Sequence, residues 1–324
     1  MLRSGGIVAI PTETVYGLGA SAFDERAVAR VFDIKGRPRF DPLIVHVGTI
    51  GDLDRLVPNL PETARPLVER FWPGPLTLVL PKRVEVSDLV TAGCPTVAIR
   101  MPDHPVALAI IRAAGVPIAA PSANLFGRIS PTTAQHVADQ LGEGVDLIVD
   151  GGPCRVGIES TVLQVDADGF TLLRPGGISL EELELVVGSD RIATRIVSED
   201  VAAASDPPSL PTSEPPAGLT SPGTLLQHYA PQTPLTVMWP AGASSRPGTG
   251  RLGLLAFKPP AEATGYEKIE VLSEAGNLQE AAARFFAALR RLDAAGLDLI
   301  MAEPLPEKGL GRALNDRLRR AEYR

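Results

Sequence analysis

Two α/β domains of unequal size are predicted, and three observations carry that reading. The chain has 324 residues with 44% hydrophobic content, enough for two cores rather than one. Strand-length apolar runs alternate with helical patterns along most of it. A Pro/Ser/Gly-rich stretch, AASDPPSLPTSEPPAGLTSPG, breaks that alternation from Ala203 to Gly223 and reads as an extended tether. The expected division is residues 1–190, a linker over 191–231, and a smaller domain over 232–324.

In the first part, Ile7–Ile10, Leu43–Val47, Leu76–Leu80, Thr96–Ile99, Leu147–Val149 and Ser160–Val165 read as strands because they are short, apolar and rich in β-branched residues. Asp24–Ile34, Pro61–Phe71, Pro105–Ala114, Pro131–Leu141 and Leu180–Val187 carry helical spacing. Ser130-Pro131 and His104-Pro105 put proline where a first helical turn tolerates it, so Ser130 reads as an N-cap. After the tether, Leu235–Trp239, Leu252–Phe257 and Leu297–Met301 are strand-like, and Leu278–Ala294 and Ala313–Tyr323 are helical. No internal repeat is visible.

Composition excludes several classes. Net charge is −7 and the pI about 5.3, which argues against a broad nucleic-acid coat, so no stable nucleic-acid binding is expected. No apolar run reaches membrane-spanning length. Only Cys94 and Cys154 are present, unsuited to a metal or redox motif and compatible with a reducing, cytoplasmic setting. A phosphate loop of GxxxxGK[ST] type, a strand-anchored GxGxxG and a GxSxG elbow are all missing. The four histidines are dispersed without metal spacing.

Against that background one cluster stands out. Lys35-Gly-Arg-Pro-Arg puts Lys35, Arg37 and Arg39 within five residues. It lies in the part that holds all the excess negative charge, since residues 1–190 carry 16 Lys+Arg against 23 Asp+Glu and the remainder 15 of each. A local basic knot on an acidic background suits one small anion. Gly36 and Pro38 end any helix there and leave the cations on a turn; alone, that is a solvated turn. Other segments point the same way. Pro11-Thr-Glu-Thr-Val-Tyr-Gly17 brings hydroxyls to a strand end, and Thr96-Val-Ala-Ile-Arg100 ends a strand in a cation. Pro121-Ser-Ala-Asn124 offers compact polar groups on a turn, Glu159-Ser-Thr161 opens a strand and Arg174-Pro-Gly-Gly closes the next. Each is ordinary singly; together they suit a nucleotide and a small amino acid.

The order PTETVYGL, KGRP…PLIVH, TVAIR, PSAN…SPT, ESTVL, LRPG over about residues 5–188 resembles the YrdC-like threonylcarbamoyl-AMP synthases. SPGTLLQHYAP before the second domain resembles the long form of that family. The resemblance implies a YrdC-like twisted mixed sheet with flanking helices, plus a smaller Rossmann-like α/β C-terminal domain. It implies a nucleotidyltransferase acting on L-threonine, bicarbonate and ATP, and releasing pyrophosphate. Proteins that transfer the threonylcarbamoyl group to tRNA adenosine would be its downstream partners.

Carried over position by position, the resemblance assigns Lys35 and Arg37 to the phosphates, as the catalytic cations. Asp41, Thr96, Ser122, Asn124, Ser130, Arg174 and Tyr229 fall on its nucleotide contacts, and Thr14, His46, Arg100 and Ser160 on its threonine pocket. Magnesium would arrive with ATP rather than in a protein cage. Asp41 departs from the family's usual Asn, and its charge near phosphates would need compensation from magnesium or from a cation such as Arg39. By the same resemblance the HYAP segment, through Tyr229, approaches the nucleotide; the Ala203–Gly223 tether is expected either to fold over a loaded pocket as a lid or to serve as a passive spacer. Two alternatives belong to the same fold. A non-catalytic RNA-binding protein is opposed by the acidic first domain. A carbamoyl-adenylate module of hydrogenase maturation normally brings zinc-binding cysteine pairs, which two isolated cysteines cannot supply.

Overall fold

The computed structural model describes residues 1–194, 228–239 and 250–322; the tether from Ala203 to Gly223 lies outside them. The first part contains β1 (Val8–Ile10), β2 (Gly17–Ser21), α1 (Glu25–Lys35), β3 (Ile44–His46), α2 (Arg65–Phe71) and β4 (Leu76–Pro81). Then follow α3 (Asp88–Thr91), β5 (Thr96–Arg100), α4 (Pro105–Ala114), β6 (Ile118–Ala119), α5 (Ala134–Leu141) and β7 (Leu147–Ile148). It closes with β8 (Thr161–Val165), β9 (Phe170–Arg174), α6 (Leu180–Val187) and β10 (Ile192–Thr194). These strands form one mixed sheet in the order β10-β9-β8-β4-β5-β3-β6-β2-β1-β7. Because β10 pairs with β9 in register from Ile192, the first sheet runs slightly past residue 190.

The second part contains β11 (Leu235–Val237), β12 (Leu252–Ala256), β13 (Lys268–Val271), α7 (Leu278–Asp293), β14 (Leu299–Ala302) and α8 (Leu310–Glu322). Its four strands are all parallel, in the order β11-β14-β12-β13, with α7 and α8 packed on each other. That is the small Rossmann-like unit expected after the tether.

Strand alternation separates two faces of the large sheet. Val45, Leu78, Leu80, Val97 and Ile99 enter the main core with Phe32, Phe71 and Trp72. Their neighbours Ile44, Val79, Ala98, Val162 and Leu173 form a smaller cluster on the other face. Two residues along from that second set stand His46, Arg100 and Ser160, so the site lies over this second face.

Four local expectations change. The helix expected over 61–71 is a 3-10 turn at Glu62–Ala64 followed by α2, which has proline in its first turn, where a missing N–H is harmless. β2 was not expected, because GLGAS lacks the β-branched residues that mark strands. Ser130 is not an N-cap: α5 starts later, and Thr133 accepts from the His136 amide at 3.2 Å. The basic turn is not solvated. Lys35 is the last residue of α1, Gly36 caps it at φ 60° in the left-handed conformation that glycine tolerates, and Lys35 and Arg37 are both buried.

Candidate active site

One cavity of about 50 Å³ is lined by Thr14, Arg37, His46, Arg100, Ser160 and Arg174, among others. At about 10–15 Å³ per water it holds only a few waters, because His228 and Tyr229 fill the end beside Arg37 and Arg174.

The parallel β3–β5 register places His46 opposite Arg100. Arg100 donates to the Thr14 hydroxyl at 2.8 Å and pairs with Glu13 at 3.3 Å, both fully enclosed. Its Nε has no protein partner. Burial, opposed by Glu13, lowers the Arg100 pKa; it remains a guanidinium. Burial and then Arg100 push His46 down to about 3, so its imidazole is neutral at physiological pH. Its Nδ1 also lacks a protein partner. This end therefore offers a fixed cation and a neutral ring to a small zwitterion.

Ser160 shares a 2.7 Å hydrogen bond with Thr77 of β4. Arg174, at the end of β9, donates to the Ser160 carbonyl at 2.9 and 3.2 Å and to its hydroxyl at 3.2 Å. Gly176 makes this approach possible: a Cβ there would lie 2.4 Å from the Ser160 carbonyl carbon and the Thr161 nitrogen. The LRPG glycine thus presses the turn after β9 onto the EST segment.

At the other end, Arg37 pairs with Asp41 at 2.9 Å and donates to the carbonyls of Asp41 and Pro42. The compensation expected for Asp41 comes from Arg37 and not from Arg39, which is exposed. Lys35 donates to the carbonyls of Ser122 at 2.6 Å and Asn124 at 2.5 Å. It shapes the PSAN turn, and does not itself line the cavity. Burial, reinforced by Arg37, holds the Lys35 pKa well below its ordinary value. The Asn124 amide donates to the Leu125 and Arg128 carbonyls and ties off the same turn.

His228 and Tyr229 come from the HYAP segment. Ala230 donates to the Gly127 carbonyl at 2.8 Å, and Tyr229 takes φ 65°, a costly conformation for a non-glycine residue. Burial and then Arg37 and Lys35 hold His228 well below 6.5. Tyr229 thus lines the cavity at the end that carries Arg37 and Arg174.

The structure brings Thr14, Arg37, His46, Arg100, Ser122, Ser160, Arg174 and Tyr229 to the cavity wall. Lys35, Asp41, Asn124 and Ser130 stand behind that wall. Thr96 does not join them: it begins β5, about 13 Å from Arg100 at ~3.3 Å per residue. Sequence reasoning assigned no role to Glu13, Thr77, Glu159 or Arg317. Glu13 and Glu159 sat inside quoted motifs, and a buried-carboxylate partner for each arginine was the signal available. Arg317 had no local signal, since it meets Glu159 across 158 residues.

An α/β fold with an arginine-lined polar cavity defines a class, and the comparisons define the family. The Sua5/YciO/YrdC domain model, described as telomere recombination, matches residues 1–176, and the threonylcarbamoyl-AMP synthase C-terminal domain model matches residues 178–322. The chain is 43% identical to the threonylcarbamoyl-AMP synthase of Pyrococcus abyssi over 99% of its own length and 91% of that protein's. The figures for the Bacillus subtilis threonylcarbamoyl-AMP synthase are 43%, 99% and 90%. The crystal structure of P. abyssi Sua5 complexed with L-threonine superposes with a TM-score of 0.85 at 41% identity, covering 99% of this chain and 92% of that one. This chain belongs to the threonylcarbamoyl-AMP synthase family, in its two-domain form.

Proposed function

We propose that this protein is an L-threonylcarbamoyladenylate synthase, converting L-threonine, bicarbonate and ATP into threonylcarbamoyl-AMP, pyrophosphate and water. The observation that supports it most directly is one cavity joining a carboxylate-anchoring end, Arg100 with Thr14 and His46, to a cationic end, Arg37 with Arg174. L-Threonine places its carboxylate against Arg100. Its amine captures carbon dioxide or bicarbonate as a carbamate. A carbamate oxygen then attacks the α-phosphorus of ATP, and the bond to the β,γ-diphosphate breaks.

Charge on the phosphate oxygens meets Arg37 and Arg174, which are held before substrate arrives. Lys35 acts through the Ser122–Asn124 turn that it fixes. No covalent nucleophile is required; alignment of three reactants supplies much of the rate. ATP occupies the end that His228 and Tyr229 now fill, so these side chains move on binding. Magnesium accompanies the phosphates of ATP; among the described residues no group of three or more His, Cys, Asp or Glu could hold a metal ion.

The product is a mixed anhydride prone to hydrolysis, consumed by proteins that transfer its threonylcarbamoyl group to tRNA. Two free thiols, Cys94 and Cys154, suit the reducing cytoplasm for this sequence of steps. No helix among the described residues is long and apolar enough to cross a membrane. Mass spectrometry of a reaction with isotopically labelled bicarbonate tests the assignment: the label is expected in threonylcarbamoyl-AMP, and its absence with ATP turning over would reject it.

A further inference from the structure

The nucleotide end of the cavity is backed by the C-terminal domain, and the backing is unusually specific. The Arg317 side chain of α8 is fully enclosed and pairs with Glu159 at 3.1 Å. It also donates to the Pro175 carbonyl, next to Arg174. The second Glu159 oxygen accepts from the Ser130 hydroxyl at 2.6 Å. From α7, Arg290 donates to the carbonyls of Ile129 and Ser130. Gly157, two residues before Glu159, lies so close to α7 that a Cβ would sit 2.4 Å from the Ala282 carbonyl oxygen. Val15, Ile129 and Ile158, each adjacent to a residue of the site, are buried in the same apolar cluster as Phe285 and Phe286 of α7. Three separated motifs of the first domain are thus held by one surface of the second.

We propose that Arg317 and Arg290 are positioning residues for ATP, so that the C-terminal domain sets nucleotide affinity and leaves threonine affinity to the first domain. The inference rests on the synthase reading for the identity of the nucleotide. Its physical basis is that Glu159 and Ser130 are held by arginines from outside the domain that carries them. Arg100 differs: its partners Glu13 and Thr14 lie in the first domain. A carboxylate as enclosed as Glu159 will shift toward water or another donor once Arg317 is removed, and Ser130 and the Arg174 turn will shift with it.

The test uses the full-length chain, with steady-state pyrophosphate release and ATP binding by calorimetry without threonine. Arg317→Met is expected to weaken ATP binding and raise the KM for ATP about tenfold or more, as for a buried partner left unpaired. The KM for L-threonine should stay within about twofold. Arg317→Lys should not rescue, because an ammonium cannot span the Glu159 carboxylate and the Pro175 carbonyl as a guanidinium fork does. Glu159→Gln combined with Arg317→Met should be less harmful than the product of the single effects, since both break one link. Arg290→Met, at a less enclosed position, should raise the ATP KM about threefold and covers the case in which Arg317 variants fail to fold. Arg312→Ala removes a 2.6 Å interdomain pair with Glu181 that touches no motif, and should leave both KM values unchanged.

Unchanged ATP affinity in the Arg317 and Arg290 variants overturns the proposal. So does an equal rise in both KM values together with a lowered Tm, which marks simple loosening of the domains. A wild-type enzyme without threonine-dependent pyrophosphate release rejects the synthase reading instead, and calorimetry still decides the role of the two arginines.

Discussion

The two ends of the cavity are built differently. At the end proposed for threonine, Arg100, Glu13, Thr14 and His46 all lie within about ninety residues, and a parallel strand register fixes two of them side by side. At the end proposed for the nucleotide, the Ser130 turn, Glu159 and the Arg174 turn meet groups from the HYAP segment and from α7 and α8. The first end is supplied within one domain, by two paired strands and the loop between β1 and β2. The second end draws its walls from several elements of both domains, and its alignment then depends on how those elements dock.

The largest expected effect separates the two ends through stability. Arg37→Ala leaves Asp41, which is fully enclosed, without its cation, and is expected to cost about 3–5 kcal/mol in chemical denaturation. Asp41→Asn in the same chain should restore part of it. Wild-type stability in Arg37→Ala alone would place Asp41 with another cation.

Next in size is a substrate-specific loss. Arg100→Ala should lower kcat/KM for L-threonine about 10²-fold, as expected for a removed preorganised charge contact, while ATP binding measured without threonine changes little. Comparable losses for both substrates would mean that the two ends are not mechanically separate.

A smaller effect concerns Lys35. Lys35→Ala strands the Ser122 and Asn124 carbonyls and should destabilise by about 1–3 kcal/mol, with a raised KM for ATP. A solvated lysine would give no change in denaturation midpoint, so this variant tests whether Lys35 is structural as well as electrostatic.

The smallest effect is on pH dependence. His46 has its folded pKa lowered to about 3, against an unfolded value near 6.5. Between those limits the unfolded chain binds the proton and the folded chain does not, so stability is complete above about pH 6.5 and falls as the pH drops toward 3. His46→Gln should flatten this fall in a Tm series from pH 7 to pH 4. An equally steep fall would assign it to other groups such as His228, whose pKa is also depressed.

Sequence alone carried the architecture further than the packing. Strands such as Leu43–Val47 were legible because burial on both faces leaves a continuous apolar run, and α6 was legible because Leu180–Val187 carries helical spacing. β2 was hidden by its small residues. The basic knot stood out as a candidate site but not as an interior one: Lys35 and Arg37 are enclosed because buried carbonyls and Asp41 satisfy them. No periodicity records the pairing of Lys35 with carbonyls 87 and 89 residues away. The link between Arg317 and Glu159 was illegible for the same reason, since each is an ordinary charged residue in its own segment. Ser130 was misassigned because a hydroxyl before proline is a helix-start signal whether or not a more distant carboxylate claims it.

The central claim, that this cavity joins threonine to adenylate chemistry, is tested most directly by pyrophosphate release from ATP. Omission of L-threonine or bicarbonate should each abolish the release, and L-serine should substitute poorly, since one methyl group is worth about 1–3 kcal/mol of discrimination. Equal pyrophosphate release with no amino acid present would contradict it.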